Sequence, residues 1–332
     1  MRHTQKSKKK GDIIVENETL VNVEEMPKKK KIMSRTKKRV AFYSIMLIAP
    51  LLHTLVFYFY LNFSSVLMGF QIYSKAAGSI GYDVRYSFEN FIYVINYISD
   101  PTYTPLITNS VLFFIAQMAI GTTAALLFSY YIYKKFFLAE FFRVILFLPQ
   151  IISSLVLVLL FRYIAEDVYT TLAQTRLGLI SNPETTFLVV VIYNLWIGFG
   201  TNILLYAGAM SGIDNSIVES SHLDGVTTLQ EFFYITFPMI FSTFTVFIIT
   251  GLSTMFSQQL SLFTFFGSTA PNEIRTVGYF MTISTLQSSL LGKEGYWTYS
   301  QISAMGLIIT IVTFPISFGV KKLMEKYGPS VN

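Results

Sequence analysis

Cysteine is absent from the 332 residues. That excludes a disulfide framework, cysteine-ligated zinc, iron–sulfur clusters and thiol catalysis. Histidine is scarce too: His3, His53 and His222 lie far apart, so no histidine metal site is expected. Charged residues make up only 13% of the chain, about half of the ~25% usual in soluble proteins. A phosphate-cradling loop is also missing. The one Gly-Lys pair, Gly292-Lys293, runs into Glu294 and has no upstream glycine at the required spacing. No catalytic residue is assigned, and neither a disordered chain nor a nucleic-acid-coating protein fits these numbers.

What is present is apolar. Hydrophobic residues make up 52% of the chain, with 31 Phe and 21 Tyr. Crossing a hydrocarbon core of about 30 Å takes roughly 20 apolar residues in a helix. Six stretches qualify: Val40–Asn62, Asn109–Tyr131, Val144–Tyr163, Thr185–Tyr206, Pro238–Ser257 and Ser303–Lys321. None carries Asp, Glu, Lys or Arg in its middle. They are too long and too uniformly apolar for barrel strands. The expected fold is all-α, a polytopic membrane protein of six transmembrane helices. Residues 40–323 form that domain, between a basic tail (1–39) and a short tail (324–332).

Orientation follows the distribution of Lys and Arg. With the first residues inside, 19 of the 25 basic residues fall on the cytoplasmic side and six outside. Both termini are therefore expected in the cytoplasm, in a cell membrane. The basic leader is too long for a signal peptide, so the first stretch reads as a retained span. The leader reads as a solvated tail that enforces topology, with binding to anionic lipid as the alternative.

One cytoplasmic loop breaks the charge pattern. About 207–237 holds no Lys or Arg but carries Asp214, Glu219, Asp224 and Glu231, as if facing a basic partner. Ser216 to Glu219 fits a capping box, opening a helix to about Asp224. Gly225 suits the left-handed position that ends it. Thr227 to Gln230 fits a second box. The next helix carries an apolar stripe of Leu229, Phe232, Phe233 and Phe237, and Pro238 stands at a helix-start position for span five. Such a loop is either an interfacial helix pair or a docking element.

Its spacing resembles the EAA loop of permease subunits of binding-protein-dependent ABC importers. Glu219-Ser220-Ser221 stands for Glu-Ala-Ala, Gly225 follows six residues after the Glu, and Ile235 with Pro238 closes the motif. Ser87-Phe88-Glu89-Asn90-Phe91, Thr108-Asn109-Ser110 and Phe141-Phe142-Arg143 with Phe147-Leu148-Pro149 are similar to segments of the family's carbohydrate branch. The resemblance implies a type I importer permease forming half of a pathway for a sugar or oligosaccharide. It implies a second permease subunit, two ATPase subunits that use ATP and Mg, and an external solute-binding protein. This chain itself would bind no cofactor and would not be an enzyme. Ile217 and Val218 would fill a cleft on the ATPase, Glu219 would meet a basic residue there, and Asp224-Gly225 would make the corner.

Polar residues at membrane depth default to functional candidates. Gln150, Tyr193, Asn194, Trp196, Asn202, Ser253 and Ser257 are taken as the substrate pathway, beside Gln117, Ser153, Ser154, Thr250 and Thr254. The bland alternative is interhelical hydrogen bonding. An ion-coupled secondary transporter is the first rival, but proton coupling uses intramembrane carboxylates and the six stretches have none. A membrane glycosyltransferase is the second; only Glu166-Asp167, in an external loop, approaches a carboxylate pair.

Overall fold

The computed structural model describes residues 35–75, 81–289 and 296–329. Most of the basic leader and the Gly292-Lys293 pair lie outside the described residues. Two units are distinguished, divided after Phe59.

The first unit is a helix, α1 (Arg35–His53), followed by a π-helical turn from Thr54. Its apolar side chains from Val40 to Phe59 are exposed all round. Such a surface suits hydrocarbon, in which a helix satisfies its backbone polar groups internally.

The second unit opens with α2 (Leu61–Gly69) and an antiparallel hairpin, β1 (Gln71–Lys75) and β2 (Tyr82–Tyr86), with Gln71 opposite Tyr86 and Lys75 opposite Tyr82. The hairpin was not anticipated. Helix α3 (Glu89–Ser99) is tied to it: Asn90 Nδ2 donates to Gly69 O and Gln71 O, both at 3.0 Å. That bond gives the Asn of the Phe-Glu-Asn-Phe segment a structural task.

The second span is one run, Pro101–Tyr133. It consists of a 3₁₀ turn, α4 (Thr104–Ala116), a π-helical turn (Gln117–Thr122) and α5 (Thr123–Tyr133). The third expected span is not a single rod. Helix α6 (Ala139–Phe147) ends in a 3₁₀ turn at Leu148–Gln150, and α7 (Ser154–Tyr163) leads by a π-helical turn into α8 (Tyr169–Ala173). The two arms meet at 101°. Pro149 lacks the N–H that would continue the ladder, and Ser153 takes an extended ψ of 130°. A straight Val144–Tyr163 helix is thereby corrected.

Helix α9 (Pro183–Ser211) starts where Asn182 accepts from the Glu184 amide and Pro183 takes the first turn. Then come α10 (Asn215–Leu223), α11 (Thr228–Glu231), a π-helical turn (Phe232–Thr236) and α12 (Phe237–Thr254). Helices α13 (Leu262–Phe266) and α14 (Val277–Gln287) precede α15 (Tyr299–Tyr327). Among the described residues five helical runs are long and apolar enough to cross a membrane, and the bent pair makes up to six.

The runs start earlier than the expected spans, and span five stops at Thr254, short of the expected Ser257. Span five begins at Thr228 rather than Pro238. The π-helical turn just before Pro238 rearranges the bonding where the proline cannot donate.

The core near the 212–227 end joins α5, α9 and α12 through Leu126, Tyr130, Ile203, Tyr206, Met210 and Ile240. Ser129 Oγ donates across to Ile203 O at 3.0 Å.

Candidate functional site

Two places gather the expected residues: the loop at the end of α9, and a cavity between α4, α9 and α12.

The loop is built as a hook. Asp214, not Ser216, caps α10: its carboxylate accepts from the Ser216 amide at 2.9 Å. That bond holds the Asp214 carboxyl below its ordinary range. The helix thus starts two residues early, and the box expected between Ser216 and Glu219 does not form. The helix stops as expected, with Gly225 at φ +77°. The second capping box is formed, Thr227 with Gln230.

The burial of the hook separates anchors from free residues. Val218 and Ser221 are buried, Val218 in the core with Met210 and Phe232. Val218 therefore cannot fill a partner's cleft, a correction to the sequence expectation. Ile217, Glu219, Ser220 and Asp224 are exposed, and Leu223 is 90% exposed. The expected apolar stripe also divides: Phe232 is buried, while Leu229 and Phe233 are exposed.

The acidity of the loop is partly answered from within. Glu231 is fully buried. Lys134 Nζ donates to both of its oxygens, at 3.1 and 2.9 Å, and His222 Nε2 lies 3.2 Å away. Three separate elements meet there: the end of span two, α10 and the start of span five. Tyr130 adds a fourth link, its hydroxyl donating to Thr228 O at 2.9 Å. In the sequence the cluster shows only as Glu231 next to Phe232.

The membrane cavity has a volume of about 360 Å³. Asn194 and Asn202 line it, together with Gln117, Thr250, Thr254 and Gln258. Among the described residues no charged one does. Asn194 Nδ2 is engaged with Val190 O and Leu260 O at 2.8 and 2.9 Å, leaving its oxygen as an acceptor. Gln258, one residue past the expected end of span five, escaped the sequence reading.

The other expected pathway residues go elsewhere. Tyr193 is buried in a cluster with Val158 and Phe265, on another face of α9. Trp196 packs on Tyr193 and Phe161. Ser253 pairs with Ser317 at 3.3 Å, bonding α12 to α15. Ser257 is exposed and outside the lining, and the Gln150 amide donates to Ile197 O. Among the described residues no cluster of His, Asp and Glu could hold a metal ion.

A broken third span, a hooked loop on an ion-paired buried base and a neutral polar cavity between spans describe a membrane permease. Residues 117–331 match the family described as the binding-protein-dependent transport system inner membrane component, and the chain belongs to that family.

Among its relatives is the arabinooligosaccharides transport system permease protein AraP of Halalkalibacterium halodurans, 26% identical over 82% of this chain and 84% of the relative. Another is the probable starch degradation products transport system permease protein AmyD of Thermoanaerobacterium thermosulfurigenes, 27% identical over 60% of this chain and 69% of the relative. In fold, the chain is similar to a subunit of a bacterial ABC transporter involved in the import of the acidic polysaccharide alginate. The TM-score is 0.69 at 17% identity, over 88% of this chain and 98% of that one. The protein is a multi-pass permease component of an ABC importer, not an enzyme; ATP hydrolysis resides in separate subunits.

Proposed function

We propose that this chain forms half of the translocation pathway for a sugar or oligosaccharide. The observation that carries the reading is the cavity of amides and hydroxyls between α4, α9 and α12, free of charge at membrane depth. Such a lining hydrogen-bonds sugar hydroxyls, while Phe113, Phe114 and Phe247 offer apolar surface to ring faces. Permease relatives named for arabinooligosaccharides and for starch degradation products support that substrate class.

In this reading both termini are cytoplasmic, which puts α10 on the side of the ATPases. Ile217, Glu219, Ser220 and Leu223 present the docking ridge. Val218 and Ser221 anchor it, Asp224-Gly225 turns the corner, and the π-helical turn at Pro238 hands the motion to span five. A second, non-identical permease completes the pathway, two ATPases supply ATP and Mg chemistry, and an external solute-binding protein delivers the sugar.

The test is ATP-dependent uptake of arabino- and malto-oligosaccharides in proteoliposomes holding the assembled transporter. Asn202→Leu and Gln117→Leu should each raise the KM for uptake by about fivefold or more, as a sugar hydroxyl loses its partner. Ser253→Ala, which touches only the α12–α15 bond, should not. Unchanged uptake in both cavity variants would sink the pathway assignment.

A further inference from the structure

A second cavity, of about 380 Å³, lies at the opposite end of the spans from α10, between α3, the Pro101–Tyr103 turn, α14 and the segment before α15. Its wall is aromatic. Tyr97 stacks on Tyr103 with ring centroids 3.6 Å apart, and meets Trp297 edge-on at 4.8 Å. Tyr93 meets the same indole at 5.4 Å, and Phe280 at 5.2 Å.

Among the described residues Arg275 is the one cation that lines this cavity, and no carboxylate does. The arginine is firmly mounted. Its Nε donates to Ala270 O at 2.7 Å, and Asn109 Nδ2 holds its backbone carbonyl at 3.0 Å and that of Glu273 at 2.8 Å. Among the described residues its terminal nitrogens have no ion-pair partner. Ser268, Ser284 and Gln287 complete the polar lining.

A positioned guanidinium whose outer fork is unclaimed among the described residues is the complement of a carboxylate, which it grips through two parallel bonds. Flat aromatic walls with a few convergent polar groups suit an organic ligand of sugar size. We infer that this outer cavity is a saccharide subsite selective for a carboxylated unit, a uronic acid, with Arg275 as the residue that selects the charge. The inference rests on the reading of the chain as a saccharide permease. It adds a site separate from the membrane cavity and a substrate chemistry that the neutral cavity does not specify.

The chain has two tryptophans, so Trp196→Phe leaves Trp297 as the sole indole, inside the proposed site. The full chain in lipid nanodiscs is titrated with digalacturonate and with its dimethyl ester, which keeps the sugar and removes the charge. Digalacturonate should shift Trp297 emission and bind at least about tenfold more tightly than the ester, the worth of a charged hydrogen-bonded pair. Arg275→Gln should abolish that preference, and Arg275→Lys should keep part of it. No emission change with either sugar, or equal affinity for both, overturns the site without recourse to any change at Arg275. A preference that survives in Arg275→Gln overturns the role of Arg275. ATP-dependent uptake by the assembled transporter is read separately. Uptake without a Trp297 response removes this subsite and leaves the permease reading standing.

Discussion

Lys134 and Glu231 stand 97 positions apart and meet at 2.9 Å beneath the surface of the chain. Their pairing fixes the base of the α10 hook to the end of span two and to the start of span five. A push on α10 is therefore applied to two spans together.

Removing one partner tests this. Lys134→Met strands a fully buried carboxylate, and breaking such a pair costs on the order of 3–5 kcal/mol. The variant should unfold at a clearly lower temperature in detergent. Replacing both ends, Lys134→Met with Glu231→Met, should recover most of the loss, since an apolar pair has no charge to desolvate. Thermal unfolding of the two single variants and the double variant measures the coupling. An additive double variant would show that the pair does not act as a unit.

Gly225 gives a second prediction. A Cβ there would meet nothing within 4 Å, so only the backbone angle of +77° resists substitution. Gly225→Asn should be tolerated, because asparagine visits the left-handed region. Gly225→Val should cost about 1–2 kcal/mol or more and misdirect α10. Co-purification of the ATPase subunits should survive in the first variant and fail in the second. Equal recovery from both would mean that the corner does not aim the docking ridge.

The Asp214 cap predicts a pH dependence. The Ser216 amide holds its carboxyl below the ordinary range, so the cap stabilises α10 above the unfolded value of about 3.9. It is lost as pH falls through the lower native value. Amide-exchange protection factors at 215–218, taken against the intrinsic rate at each pH, should fall on acidification across that window. Asp214→Asn should keep the cap and abolish the dependence, since asparagine caps equally well without titrating. An unchanged acid response in Asp214→Asn would assign it to another group.

The spans were legible because apolar length is a local property, and so was the Gly225 corner, which needs only one permissive residue. The start of α10 was misread because Asp214 and Ser216 are both good caps. Burial of Ile213 and Val218 against the bundle chooses between them, and that is tertiary information. Glu231 read as another surface acid because its partner Lys134 lies in a different loop. Among the pathway residues, Asn194 and Asn202 reach the cavity while Tyr193 faces a different cluster. Polar character marked all three, but only packing sets which face of α9 looks inward.

The π-helical turn at Gln117–Thr122 carries a consequence for how the cavity came to be polar. Such a turn holds one residue more than an α-helical turn would. One residue advances a helix by about 100°, so α4 and α5 present faces offset by that angle. Gln117 opens the turn, Thr122 closes it, and both line the cavity. Deleting one residue within the turn would bring the two halves into a common phase and swing one of those side chains toward lipid. The polarity of the cavity is in this sense written as a single surplus residue in the chain.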